Sequence, residues 1–118
     1  MHEFALSEEL VKSVLAEMSR LEASVVLRRA HVVVGALRRV TPESLRLAYE
    51  LQTRDTRADG SFLDVTLVPE TVLCRDCGWQ GEPEESLRAC GQCGGTNLES
   101  LRGMELYLSD IEVEDQET

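Results

Sequence analysis

The sequence predicts an α/β (α+β) fold: two helices on a small mixed three-stranded sheet, with a ribbon-like module held by four cysteines inserted before the last strand. Three observations carry that expectation. One stretch repeats apolar residues at three- and four-residue steps and a second follows a strong helix start, and runs rich in β-branched or alternating apolar residues follow each of them. All four cysteines fall in one glycine-dense segment. The expected domains are 1–69 plus 101–118 for the α/β part and 70–100 for the insert.

In the first stretch, Phe4, Leu10, Val11, Val14, Leu15, Met18 and Leu21 form the stripe of an amphipathic helix. Glu8, Glu9, Lys12, Glu17 and Arg20 lie on its wet side. Its acidic first turn suits the positive end of the helix dipole. Glu22-Ala23-Ser24 breaks the pattern. Val25 to Leu37, with Val32-Val33-Val34 at its centre, reads as a strand. Thr41-Pro42-Glu43-Ser44 is a helix start, with Thr41 as N-cap and Pro42 at the first helical position. That helix is expected to end near Arg54, and Asp59-Gly60 marks a turn. Phe62 to Val68 alternates as a strand closed by Pro69, with a connection from the first strand long enough for a parallel crossover. From 70 to 100 apolar periodicity vanishes, so the segment is not expected to bury a core of its own. Met104 to Val113 returns to a strand pattern, and the tail beyond it is acidic.

Composition excludes several function classes. The chain has 118 residues, with 22 acidic against 12 basic, for a formal charge of −10. Nucleic-acid affinity comes largely from Lys and Arg displacing counterions, and this chain would be repelled by a phosphate backbone. It offers no basic face to anionic lipid and no apolar run long enough to span a bilayer. A start at Met1-His2-Glu3 lacks the basic region of a signal peptide, so the cytoplasm is the expected location. No nucleophile with an acid and base is recognisable, so an enzyme is not expected.

Cys74-Arg-Asp-Cys77-Gly and Cys90-Gly-Gln-Cys93-Gly are two copies of one device. Two thiolates three residues apart can grip one metal from a tight turn. A following glycine at positive φ lets backbone N–H groups point at the sulfurs. In a reducing compartment, two disulfides, a redox CxxC or unrelated thiols are poorer readings than a metal site. Four thiolates select structural zinc, making the insert zinc-ribbon-like, although spacing alone leaves a tetrathiolate iron site open. Trp79, directly after the first pair, is expected to pack against the metal loop. His31 lies within the first strand and reads as an ordinary strand histidine.

At the opposite end, His2 has a specific chemistry. With a free α-amine, Met1 and His2 offer an amine, a backbone nitrogen and an imidazole to one cation. Three coplanar nitrogens suit Ni(II) or Cu(II), with Glu3 or water as a further donor.

These features coincide with a known pattern. The MHEFAL start, the strand ending VVVGAL, the TPESL helix start, the CxxC…CxxC insert and the GMELYLSDIEVE ending together resemble the HypA/HybF family over nearly the whole chain. Those proteins are nickel metallochaperones of nickel–iron hydrogenase maturation. Paired CxxC motifs alone are shared by many ribbons, whereas their union with a Met-His-Glu opening is specific. The resemblance implies Ni(II) as cargo at His2, with Glu3 beside it and the Met1 amine contributing. It implies structural Zn(II) at Cys74, Cys77, Cys90 and Cys93, with a HypB-type GTPase and the hydrogenase large-subunit precursor as partners. The oligomeric state is left as monomer or homodimer. The alternative is a zinc-ribbon protein-interaction module with no nickel role.

Overall fold

The structure is a computed structural model that describes residues 2–84 and 88–116, with His2 described by its backbone. Its elements run α1 (His2–Met18), β1 (Val25–Gly35), a 3-10 turn (Ala36–Arg38), α2 (Pro42–Thr53), β2 (Phe62–Val68), β3 (Thr71–Cys74), β4 (Gln80–Gly81), β5 (Leu98–Arg102) and β6 (Leu106–Asp115). They form two three-stranded sheets, ordered β2-β1-β6 and β4-β3-β5. The chain divides into two compact units. One holds residues 1–33, 39–66 and 106–118, and the other 34–38 and 67–105.

In the first unit α1 buries Ser7, Leu10, Val11, Val14 and Met18, the helical spacing read from the sequence. Opposite them lie Leu45, Ala48 and Tyr49 of α2, Leu27, Ala30 and Val32 of β1, and Leu63 of β2. Each fully buried Leu or Val contributes roughly 1.5–3 kcal/mol. With so few aromatics, these aliphatic residues supply most of the core. α2 starts as its sequence demands, the Thr41 hydroxyl accepting from the Ser44 N–H at 3.1 Å with Pro42 in the first turn. Phe4, counted in the apolar stripe, is in fact exposed at the helix start.

The sheet is mixed, as expected. Arg29 lies over the Phe62 ring and His31 meets Asp64, so β1 and β2 advance together and are parallel. Ser24 pairs with Gln116 and His31 with Ser109, so β1 and β6 run antiparallel. β6 is an edge strand.

The end of α1 is held by a residue far away in sequence. The Arg57 guanidinium donates to the carbonyls of Met18, Leu21 (3.0 Å), Glu22 and Val25 (3.1 Å). The Met18 and Glu22 carbonyls also accept from the Leu21 and Val25 N–H groups, and the cation adds a second bond to each where the negative end of the helix dipole lies. Arg57→Met should lower the free energy of unfolding by about 2 kcal/mol. A denaturant titration that shows a change under about 0.5 kcal/mol would contradict that role.

His31 joins the three strands on one side of the sheet. Its Nδ1 stands 2.9 Å from Asp64 Oδ2 on β2, and its Nε2 bonds Glu112 on β6, with Asp110 Oδ2 3.8 Å away. Arg29, the nearby cation, lies 3.6 Å from the same Glu112 carboxylate. Only the imidazolium can donate from both nitrogens. The bond to Glu112 first, then the fields of Asp110, Glu112 and Asp64, raise the His31 pKa above its usual 6.5 against the opposing effect of burial. A raised folded-state pKa gives stability that is complete below the unfolded value and is lost as pH rises through the folded one. Thermal stability should therefore fall with increasing pH above about 6.5 in the native protein, and His31→Gln should remove that dependence. Identical pH profiles for the two proteins would overturn it.

The second unit departs from expectation. The segment from 70 to 100 builds its own antiparallel sheet, β3 pairing with β4 (Val72↔Gly81) and with β5 (Leu73↔Glu99). Val72, Cys74, Ala89 and Cys90 are buried in it. The first strand stops at Gly35, two residues short of Leu37, and the chain turns through the 3-10 segment. At the stop the backbone touches the partner loop: a Cβ on Gly35 would stand 2.1 Å from the Gly103 carbonyl. Glu70 accepts from Arg88 Nη1 and Nη2 and from Ser100 Oγ at 2.9 Å.

Candidate metal centres

The four sulfurs of Cys74, Cys77, Cys90 and Cys93 all lie within 4.8 Å of one another. The two knuckles that bring them there share one hydrogen-bond pattern. Gly78 N–H donates to the Cys74 carbonyl at 2.8 Å and Gly94 N–H to the Cys90 carbonyl at 3.0 Å. Cys74 N–H donates back to the Trp79 carbonyl and Cys90 N–H to the Gly95 carbonyl, both at 2.8 Å. The pattern needs a left-handed residue after the second cysteine. Gly78 (φ 82°) and Gly94 (φ 75°) supply it, as the sequence predicted. That turn aims backbone donors at sulfur. Gln92 and Cys93 N–H groups reach Cys90 Sγ at 3.3 Å, and Gly95 N–H reaches Cys93 Sγ at 3.4 Å.

Across the knuckles, Cys74 Sγ and Cys93 Sγ are 3.7 Å apart, and Cys77 Sγ and Cys90 Sγ 3.5 Å. A tetrahedral zinc with bonds near 2.3 Å has sulfur–sulfur edges of about 3.8 Å, so the donor set fits that ion. The thiols cannot all ionise unaided. The Trp79 N–H favours the Cys77 thiolate, but burial and the neighbouring thiols outweigh it and push Cys77 up to about 12. For Cys90 burial opposes ionisation, and the Cys93 and Gln92 N–H groups overcome it, drawing the thiol down to about 6. The thiolate is favoured at Cys90 and disfavoured at Cys77 and Cys93. A divalent metal removes that conflict.

Trp79 closes one side of the centre. A Cβ on Gly81 would lie 2.6 Å from its ring and one on Gly91 2.8 Å, so the indole packs on the bare backbone beside Cys90. That is the packing role read from its position. Sequence reasoning missed the Glu70–Arg88–Ser100 clamp and the Asn97 Nδ2 to Asp76 Oδ1 bond (3.2 Å) that joins the loops. Both pair residues far apart in the chain, so no local signal marks them.

At the other end of the chain, α1 begins at His2, with Glu3 half-buried in its first turn. The first N–H groups of a helix have no intrahelical acceptor, so the His2 backbone nitrogen is not committed to the helix. The Met1 amine and the His2 imidazole lie outside the described residues. His31, with its carboxylates, lies outside the four-cysteine cluster.

Comparison with known proteins agrees with this arrangement. A family model described as hydrogenase/urease nickel incorporation, metallochaperone, hypA matches residues 1–113. A hydrogenase maturation factor HypA from Dehalococcoides mccartyi is 33% identical over 98% of this chain and 97% of its own length. Another, from Acidithiobacillus ferrooxidans, is 36% identical over 97% of this chain and all of its own. The solution structure of the Ni metallochaperone HypA from Helicobacter pylori shares the fold, with a TM-score of 0.64 at 20% identity over 95% of this chain and 97% of that one. Matched end to end at about a third identity, and carrying a built four-cysteine centre behind a Met-His-Glu start, the chain belongs to the HypA family of nickel-incorporation metallochaperones, which are carriers and not enzymes.

Proposed function

We propose that the chain carries Ni(II) through the Met1 amine, the His2 backbone nitrogen and the His2 imidazole, with Glu3 beside them. In the same reading, Cys74, Cys77, Cys90 and Cys93 hold one structural Zn(II). The observation that carries the nickel assignment is that α1 starts at His2. Binding through the His2 amide nitrogen therefore breaks no helical hydrogen bond. The positive end of the helix dipole eases loss of the amide proton and opposes a bound cation, while the Glu3 carboxylate offsets part of that opposition. A site so balanced holds its ion at modest strength. An affinity near micromolar, about −8 kcal/mol, suits a handoff.

Zinc, when bound, neutralises the converging thiolates and fixes the two knuckles. The second unit then folds around it. We assign nickel to the α/β domain, residues 1–69 plus 101–118, and zinc to 70–100. The partners that follow are a HypB-type GTPase and the hydrogenase large-subunit precursor, met in the cytoplasm by a monomer or homodimer. Among the described residues no helix is long and apolar enough to cross a membrane.

Titrating zinc-loaded, tag-free protein with Ni(II) and following ultraviolet–visible absorption tests the reading. One equivalent that develops a square-planar absorption band is expected. A zinc-ribbon interaction module without a nickel role would give no such band, and that result would overturn the proposal.

A further inference from the structure

The end of α2 reaches the start of α1 through one side chain. Gln52 Nε2 donates to the Phe4 carbonyl at 3.0 Å across 48 positions of sequence. Among the described residues the first turn of α1 contributes no fully buried side chain. Its N–H groups lack helical acceptors, helices fray first at their ends, and the Phe4 ring is 45% exposed. The nearest fully buried residues, Ser7 and Leu10, lie a turn or more further along. The orientation of the Gln52 amide is fixed by chemistry, because a carbonyl can only accept and the reversed amide would face it with oxygen.

The same residue carries a cost. Gln52 Oε1 is buried with no protein partner, and Ser7 Oγ on α1 is in the same condition. An unpaired buried acceptor is destabilising, and an apolar side chain of equal length would avoid it. The Oε1 side of the amide thus gains no protein hydrogen bond, and the Nε2 side makes the one to Phe4. What the amide supplies is a grip on the backbone two residues beyond His2.

We infer that Gln52 is a positioning residue for nickel: its bond to the Phe4 carbonyl holds the first turn of α1 helical and so fixes the direction in which the amine, amide and imidazole donors meet the cation. This inference rests on the N-terminal nickel site proposed above. A planar chelate tolerates little motion in the backbone that carries it, so a loosened turn releases the ion sooner.

The test is Gln52→Met, which keeps the length and flexibility of the side chain and removes both the donor and the orphan oxygen. Zinc-loaded native and variant proteins are charged with Ni(II), and transfer of nickel to an excess chelator is timed alongside thermal unfolding. Nickel loss should accelerate about three- to tenfold, the scale of one hydrogen bond, while the unfolding temperature stays level or rises. Arg46→Met serves as control, since it removes a bond from α2 to the Leu63 carbonyl that does not touch α1. Equal nickel release from native and Gln52→Met proteins would overturn the inference and leave the nickel site standing. Acceleration in the control as large as in Gln52→Met would also overturn it. A native protein that takes up no nickel would overturn both readings together.

Discussion

A Cys93→Ser protein is expected to lose its zinc and, with it, the ordered structure of the second unit. The sulfur lies 3.7 Å from Cys74 Sγ on a tetrahedral edge, and a hydroxyl there cannot match a thiolate as a zinc ligand. Metal binding at such sites is linked to folding by roughly 10–16 kcal/mol, far more than the few buried side chains of this unit supply. Val34, Val72, Cys74, Ala89 and Cys90 are the buried apolar side chains described in it, and two of the five belong to the four-cysteine cluster. The helical core of the first unit has its own buried set and should keep its circular dichroism. Zinc stoichiometry and protease resistance between 67 and 105 measure the effect. Full zinc occupancy in the variant would show that the ligand set is wrong.

His2→Ala should abolish tight nickel binding while it leaves zinc and fold in place. It removes the imidazole and leaves amine and amide donors that form a weaker chelate. Loss of one ring of the chelate should lower affinity about a thousandfold, from near micromolar to near millimolar, about 4 kcal/mol. His2 is the first residue of α1, where the helix makes no N–H bond of its own. In the native protein nickel loading should also weaken on acidification. Protons compete for the imidazole and the amine, whose ordinary pKa values are about 6.5 and about 7.7–8.0, so loading falls from about pH 8 downward. Calorimetry of native and variant proteins across that range measures both effects. Normal nickel affinity in His2→Ala would refute the assignment.

Much of this molecule is written locally. α2 is legible because Thr41 and Pro42 cap it, and α1 because its buried residues keep helical spacing. The cysteine knuckles are legible down to the left-handed glycines, since a ligand pair three residues apart dictates the turn between them. The parts that could not be read depend on distant residues. Arg57 holds the end of α1 from beyond α2, and Gly35 ends β1 where the loop at Gly103 lies against it. The sheet inside the insert is hidden because β3, β4 and β5 are two to five residues long, too short for an alternating pattern to show. The surroundings of His31 and the reach of Gln52 are hidden for the same reason. Their partners stand 33 to 81 and 48 positions away, where sequence periodicity carries no information.

One measurement bears on nickel carriage most directly: Ni(II) binding by two zinc-loaded proteins that differ by a single glycine placed ahead of Met1. With Met1 first, one equivalent should bind and give a square-planar spectrum. With the glycine present, the amine moves one residue from His2, and both the spectrum and the affinity of the native start should be lost. Indistinguishable titrations for the two proteins would contradict the account, because the ion would then be held by donors elsewhere in the chain.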